Sequence, residues 1–223
     1  MINAVGDKIK MAGTSFIAIF LVVANFYSMR MVMSSLNNEY ITCFFAIVPP
    51  KALHAPLANL LHTLNFVFPE QSLKWIKVEN LHITLQFLSC IQQDQIAFLV
   101  NSAQTALKET PAFQLEFGAV EWFPSLTNPK LLSLDVGPHN ILKTISVTIG
   151  QALSSLNYPM EGRPFRGHMS MGKNLQKLPS YDLLTQIKTP IIPSVLINKI
   201  HLMESRVSHD GRSYHSLAEF NLT

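Results

Sequence analysis

The sequence predicts an α+β domain built from two similar lobes, and three observations point to it. From Tyr40 onward, short runs rich in β-branched and aromatic residues alternate with stretches of helical spacing. The segments between them are short and carry turn-forming residues, which suits antiparallel neighbours. A strand bearing the pattern His-x-Ser/Thr-x recurs at His82 and His168, 86 residues apart, each time after an apolar strand and a helix.

Taken in order, residues 40–48 (Tyr40-Ile41-Thr42-Cys43-Phe44-Phe45-Ala46-Ile47-Val48) read as a buried strand that stops at Pro49-Pro50. A helix follows over 53–65. Residues 81–88 alternate strictly and predict a half-buried strand, then a helix over 93–108 that ends before Pro111. Strands over 113–117 and 130–136 are separated by the turn Thr127-Asn128-Pro129. Helical spacing covers 140–156, alternation returns over 165–171, and a short helix is expected over 181–187. Strands over 195–203 and 214–220, joined through Ser208-His209-Asp210-Gly211, complete the order.

Composition excludes several classes of function. The formal net charge of the 223 residues is +3, and residues 1–38 account for +2 of it, through Lys8, Lys10 and Arg30 against Asp7. The remainder is too weakly basic for a long polyanion track, so a nucleic-acid partner is expected to be held at an end or a single phosphate. Cys43 and Cys90 adjoin apolar runs without CxxC spacing and are expected to be buried, reduced thiols. No GxxxxGK[ST], GxGxxG or GxSxG is present, which argues against nucleoside triphosphate, dinucleotide and serine-hydrolase chemistry.

The first 38 residues stand apart as an N-terminal extension before a domain over 39–223. Nineteen uncharged residues separate Lys10 from Arg30, centred on Phe16-Ile17-Ala18-Ile19-Phe20-Leu21-Val22-Val23-Ala24. Three readings stay open: a disordered or non-native extension with translation starting at Met31 or Met33, a membrane anchor, or a weak signal peptide. A cytoplasmic location is expected for the domain, with membrane and export as the alternatives.

Strand alternation turns the repeated pattern into chemistry. It is expected to place His82, Thr84 and Gln86 on one face of their strand, with Ile83, Leu85 and Phe87 on the other. Likewise Arg166, His168 and Ser170 share a face opposite Phe165, Met169 and Met171. Two imidazoles and two hydroxyls around one small anion suit phosphodiester hydrolysis: one neutral imidazole takes a proton from water, and one protonated imidazole gives a proton to the leaving oxygen. Thr84 and Ser170 are positioned to donate to non-bridging oxygens, with Arg166 or Lys173 adding positive charge. Neither histidine has a partner at HxH or HxxxH spacing, so no metal site is expected. His54, His62, His139, His201, His209 and His215 lack the hydroxyl two residues on and are read as structural or solvated.

Longer segments around these motifs resemble the 2H phosphoesterases, and within them the RNA 2′,3′-cyclic phosphodiesterases, also called 2′-5′ RNA ligases or LigT-like proteins. The likeness runs from Tyr40 to Leu222. It includes Phe44-Phe45-Ala46-Ile47-Val48-Pro49, the run from Trp75 through His82 to Leu88, Arg163-Pro164-Phe165-Arg166-Gly167-His168-Met169-Ser170-Met171, and Met203-Glu204-Ser205-Arg206 with Gly211 and Tyr214. The resemblance implies two pseudo-symmetric lobes of antiparallel sheet with outer helices and a cleft between them. It further implies hydrolysis of 2′,3′-cyclic phosphate at RNA ends to a 2′-phosphomonoester, by a monomer without metal or cofactor. On it, His82 is the proton donor to the 3′ leaving oxygen and His168 the acceptor from water. Ser170 stands where Thr is commoner, Gly167 where Pro is usual, Lys173 where Arg is usual, and Ser89-Cys90 where Gly-Glu is usual. The alternatives carried forward are a non-catalytic module binding nucleotides or RNA ends, and a phosphodiesterase for small cyclic nucleotides or 2′-5′ linkages.

Overall fold

Strand β1 (Tyr40–Ile47) forms where the β-branched and aromatic run predicts it, and it becomes the second strand of an antiparallel four-stranded sheet. In this computed structural model residues 40–159, 164–175, 183–184, 187, 189–209 and 211–223 are described. Helix α1 (His54–Val67) buries Leu57, Leu60 and Leu64, with Leu53 just before them, a single stripe at helical spacing. It ends at Phe68, ahead of Pro69. A three-residue strand β2 (Leu73–Trp75) follows, too short for its alternation to register in the sequence.

Next come β3 (Ile83–Gln92), helix α2 (Ile96–Leu107) and β4 (Phe113–Ser125). β4 is longer than the expected 113–117, because a register shift between Phe117 and Val120 breaks the period without ending the strand. β5 (Asn128–Gly137), helix α3 (His139–Ser154) and β6 (His168–Asn174) repeat the strand, helix, strand order of β1, α1 and β3. Residues 165–167, expected at the head of this strand, lie outside it, so the ladder starts at His168 itself.

The expected single strand over 195–203 is two strands in different sheets: β7 (Val195–Ile197) pairs with β4, whereas β8 (Lys199–Ser208) pairs with β1. The chain changes sheet at Asn198, a switch that apolar periodicity cannot signal. β9 (Gly211–Asn221) closes a hairpin with β8, Ser208 opposite Gly211. Gly211 takes φ 116°, a conformation that favours glycine. The expected helix over 181–187 lies outside the described residues apart from Leu183, Leu184 and Ile187.

The strand orders are β3-β1-β8-β9 and β2-β6-β5-β4-β7, and every pairing is antiparallel. Two similar lobes therefore hold the two histidine strands, β3 and β6. Helix α3 packs on β3 as well as on its own lobe's β5, and buries Leu142, Ile145, Ile149 and Leu153. Cys43 is buried and free, its thiol pushed up to about 12 by burial with Glu204 adding to the effect. Cys90, expected to be buried, is exposed: it stands at φ 57° near the end of β3, within the register shift against β1 between Leu88 and Ile91. Among the described residues no helix is long and apolar enough to cross a membrane.

Candidate active site

Two register shifts against β1 interrupt the alternation of β3, and the one beside Thr84 shapes the site. Phe45 pairs with Gln86 while Ala46 pairs with Thr84, so Leu85 is an extra residue, a β-bulge. Beyond it the faces exchange. Gln86, expected beside His82 and Thr84, is turned inward and is only 8% exposed, with Nε2 donating to the Ser146 carbonyl at 2.9 Å. Phe87, expected on the apolar side, is 51% exposed and joins the face of His82 and Thr84. Serine 146 on α3 holds the bulge in place, its hydroxyl donating to the Leu85 carbonyl at 2.8 Å.

The second lobe carries the same irregularity at the same offset. Ser133 pairs with Ser170 and Leu132 with Gly172, so Met171 is the extra residue. The exchange of faces brings Lys173 onto the side of His168 and Ser170, whereas plain alternation would send it away. Thus each histidine strand reads His, apolar, hydroxyl, bulge, inward residue, and then an outward residue that differs: Phe87 in one lobe and Lys173 in the other.

Both imidazoles are fixed in the same way. His82 Nδ1 lies 2.7 Å from the Asn80 carbonyl, and His168 Nδ1 lies 2.9 Å from the Arg166 carbonyl. A carbonyl only accepts, so Nδ1 carries the proton in each ring and Nε2 is the nitrogen left to exchange protons. Each ring also rests on a phenylalanine. His82 sits 4.7 Å from Phe44 and edge-on to Tyr214 at 4.9 Å, and His168 stacks on Phe123 at 3.8 Å.

A pocket of about 160 Å³ opens on the four-stranded sheet, with His82 and Thr84 beside Phe44 and Phe87. Its far side is Ser205, Arg212 and Tyr214 from the β8–β9 hairpin. Asn80, whose carbonyl orients His82, also donates from Nδ2 to the Arg212 carbonyl at 3.2 Å, tying the hairpin to the histidine. Burial holds His82 below its ordinary value; the Asn80 bond opposes this, and the nearby His168 charge adds to the lowering. The hydroxyls of Thr84 and Ser170 have no protein partner among the described residues, so both are available to a ligand.

Of the cations expected at the site, Lys173 is exposed on the His168 face. Arg166 is committed within the protein: it pairs with Glu121, donates to the Pro124 carbonyl at 3.1 Å and lies 4.7 Å from the centre of the Phe123 ring. It thus shares with His168 the ring that supports them both. Arg212 was not anticipated from the sequence. The signal for it was present in the hairpin, since Arg212 and Tyr214 are two apart and share a strand face. Among the described residues no group of three His, Cys, Asp or Glu is placed to hold a metal.

Two antiparallel sheets that each present a histidine, a hydroxyl and a bulge in register define a 2H phosphoesterase. More particularly, the chain belongs to the 2'-5' RNA ligase superfamily, whose family model matches residues 42–208. It is 26% identical over 157 residues to the RNA 2',3'-cyclic phosphodiesterase of Aquifex aeolicus (strain VF5), a match covering 67% of this chain and 81% of that protein. A match to the protein of the same name from Bacillus subtilis (strain 168) is 28% identical over 100 residues, and spans 45% of this chain and 55% of that protein. The fold is that of E. coli LigT in apo form, with a TM-score of 0.66 at 19% identity, covering 83% of this chain and 99% of that one.

Proposed function

We propose that the protein hydrolyses 2′,3′-cyclic phosphodiesters at RNA ends to 2′-phosphomonoesters, acting as a metal-independent monomer in the cytoplasm. The observation that carries this reading is the pair of matched imidazoles. Each is held through Nδ1 by the carbonyl two residues earlier, so Nδ1 carries the proton and Nε2 is the nitrogen that titrates. The similarity to the RNA 2',3'-cyclic phosphodiesterases of Bacillus subtilis and Aquifex aeolicus supports the same substrate class.

In the proposed reaction His168 takes a proton from water as the water oxygen bonds to phosphorus. The bond from phosphorus to O3′ breaks, His82 gives its proton to O3′, and the phosphate stays on O2′. Thr84 and Ser170 donate to the non-bridging oxygens, and Arg212 offsets the negative charge that builds there. Arg166 acts by fixing His168 through its carbonyl and through Phe123. Burial disfavours protonated His82, whereas a phosphate anion beside it favours the charged form, so the proton is taken up together with the substrate.

The test is an oligonucleotide ending in a 2′,3′-cyclic phosphate, incubated with EDTA and analysed for the position of the product phosphate. Each histidine in a general acid or base role is worth roughly 10²- to 10⁴-fold, about 3 to 5.5 kcal/mol of barrier. His82→Ala and His168→Ala are expected to lose at least the lower of these factors while unfolding in urea like the parent. Parental rates in either variant, or a 3′-phosphate product, would overturn the reading.

A further inference from the structure

The bulge at Met171 brings Lys173 to the face of His168, and β2 adds a second lysine beside it. Lys74 is the register partner of Lys173 across β2 and β6, both are exposed, and paired residues on neighbouring strands point the same way. Like charges directly opposite one another weaken a strand pair. No neighbouring group relieves this one: neither lysine has a hydrogen bond or ion pair among the described residues. Of the carboxylates on the same face, Glu121 is paired with Arg166, and Asp135 lies 3.6 Å from the His139 ring nitrogen.

The position of the pair is also informative. Ser133 and Leu131 are the β5 partners of Ser170 and Lys173, so the lysine row lies two ladder steps, about 7 Å, beyond the hydroxyl. β2 is the outer strand of the five-stranded sheet, so the row leads off the sheet edge. On the other side of His168 the way is filled by Phe123 and Arg166.

We infer that Lys74 and Lys173 form a second phosphate subsite, which takes the phosphodiester on the 5′ side of the terminal nucleotide and directs the strand out over β2. This rests on the reading of the site given above and deepens it: the substrate is an oligonucleotide end in preference to a free cyclic nucleotide.

The experiment compares a trinucleotide bearing a 5′-hydroxyl and a 2′,3′-cyclic phosphate with a 2′,3′-cyclic nucleoside monophosphate, across a salt series. In the trinucleotide the internal phosphodiesters are the only additional anions. The parent is expected to favour the trinucleotide in kcat/KM. Lys74→Ala is expected to lower that preference about three- to tenfold, and to flatten the dependence of log kcat/KM on log salt for the trinucleotide by about 0.7, the contribution of one contact to a single strand. Lys74→Arg is expected to retain both. A Lys74→Ala enzyme with the parental preference and salt slope overturns the subsite. Binding of a fluorescent trinucleotide ending in a 2′-phosphate separates the two ideas: if the parent turns over neither substrate while Lys74→Ala still weakens this binding, the subsite stands and the proposed activity falls. If binding is also unaltered, the subsite falls.

Discussion

Replacing Ser146 with alanine tests whether the helix of one lobe sets the geometry of the histidine strand in the other. The Ser146 hydroxyl donates to the Leu85 carbonyl at 2.8 Å and accepts from Gln86 Nε2 at 3.2 Å, and it is buried. Leu85 is the bulged residue, and its carbonyl accepts from this hydroxyl. Each hydrogen bond contributes about 0.5 to 1.5 kcal/mol, and a buried carbonyl left without a donor costs about 1 to 3 kcal/mol. The Gln86 amide keeps its bond to the Ser146 backbone carbonyl, which limits the second loss. The expected destabilisation is therefore about 2 to 3 kcal/mol, read as a lower urea midpoint at unchanged m-value. Because the bulge decides which side chains face the pocket, kcat/KM on a 2′,3′-cyclic-phosphate oligonucleotide should fall as well, at temperatures where the variant is fully folded. A Ser146→Ala protein within about 0.5 kcal/mol of the parent, which is the range of neutral surface substitutions, would refute the claim that this helix supports the bulge.

Two further outcomes follow from the same geometry. Gly167 has no room for a side chain, since a Cβ there would lie 2.8 Å from the Val136 carbonyl oxygen and 2.9 Å from Leu142; Gly167→Ala is expected to cost about 1 to 3 kcal/mol in urea unfolding, and equal stability would refute the close approach. The pH profile should differ between the free and the loaded enzyme. His82 must be protonated to act as donor, so activity falls as pH rises through its pKa, which burial lowers and a bound anion raises. The alkaline limb of kcat/KM is therefore expected at lower pH than that of kcat, and coincident limbs would rule out His82 as the donor whose proton arrives with the substrate.

Much of this fold was legible from period alone. The alternation of strands and helices, the repeat of His-x-Ser/Thr-x and the apolar stripes of the helices each follow from contacts within one element, which sequence spacing records directly. What spacing missed were events between elements. The exchange of Gln86 and Phe87 depends on an extra residue at Leu85, and no local signal marks it, because its stabilising partner, Ser146, lies on a helix 61 residues away. The passage of the chain from one sheet to the other at Asn198 is of the same kind: β-propensity continues through a point where the partner changes from β4 to β1. The repeat nevertheless offered an indirect clue. If the two histidine strands are copies of one unit, an inward Gln86 corresponds to Gly172 and an outward Phe87 corresponds to Lys173. A lysine cannot be turned into an apolar core without a partner. Strict alternation, however, would place Phe87 and Lys173 on the core side of both strands. The charge on Lys173 thus argues for a bulge in its own strand, and symmetry carries the bulge back to Leu85. The polar face beside His82 is then shorter than the alternating pattern suggests, ending at Thr84 with an aromatic ring beyond it.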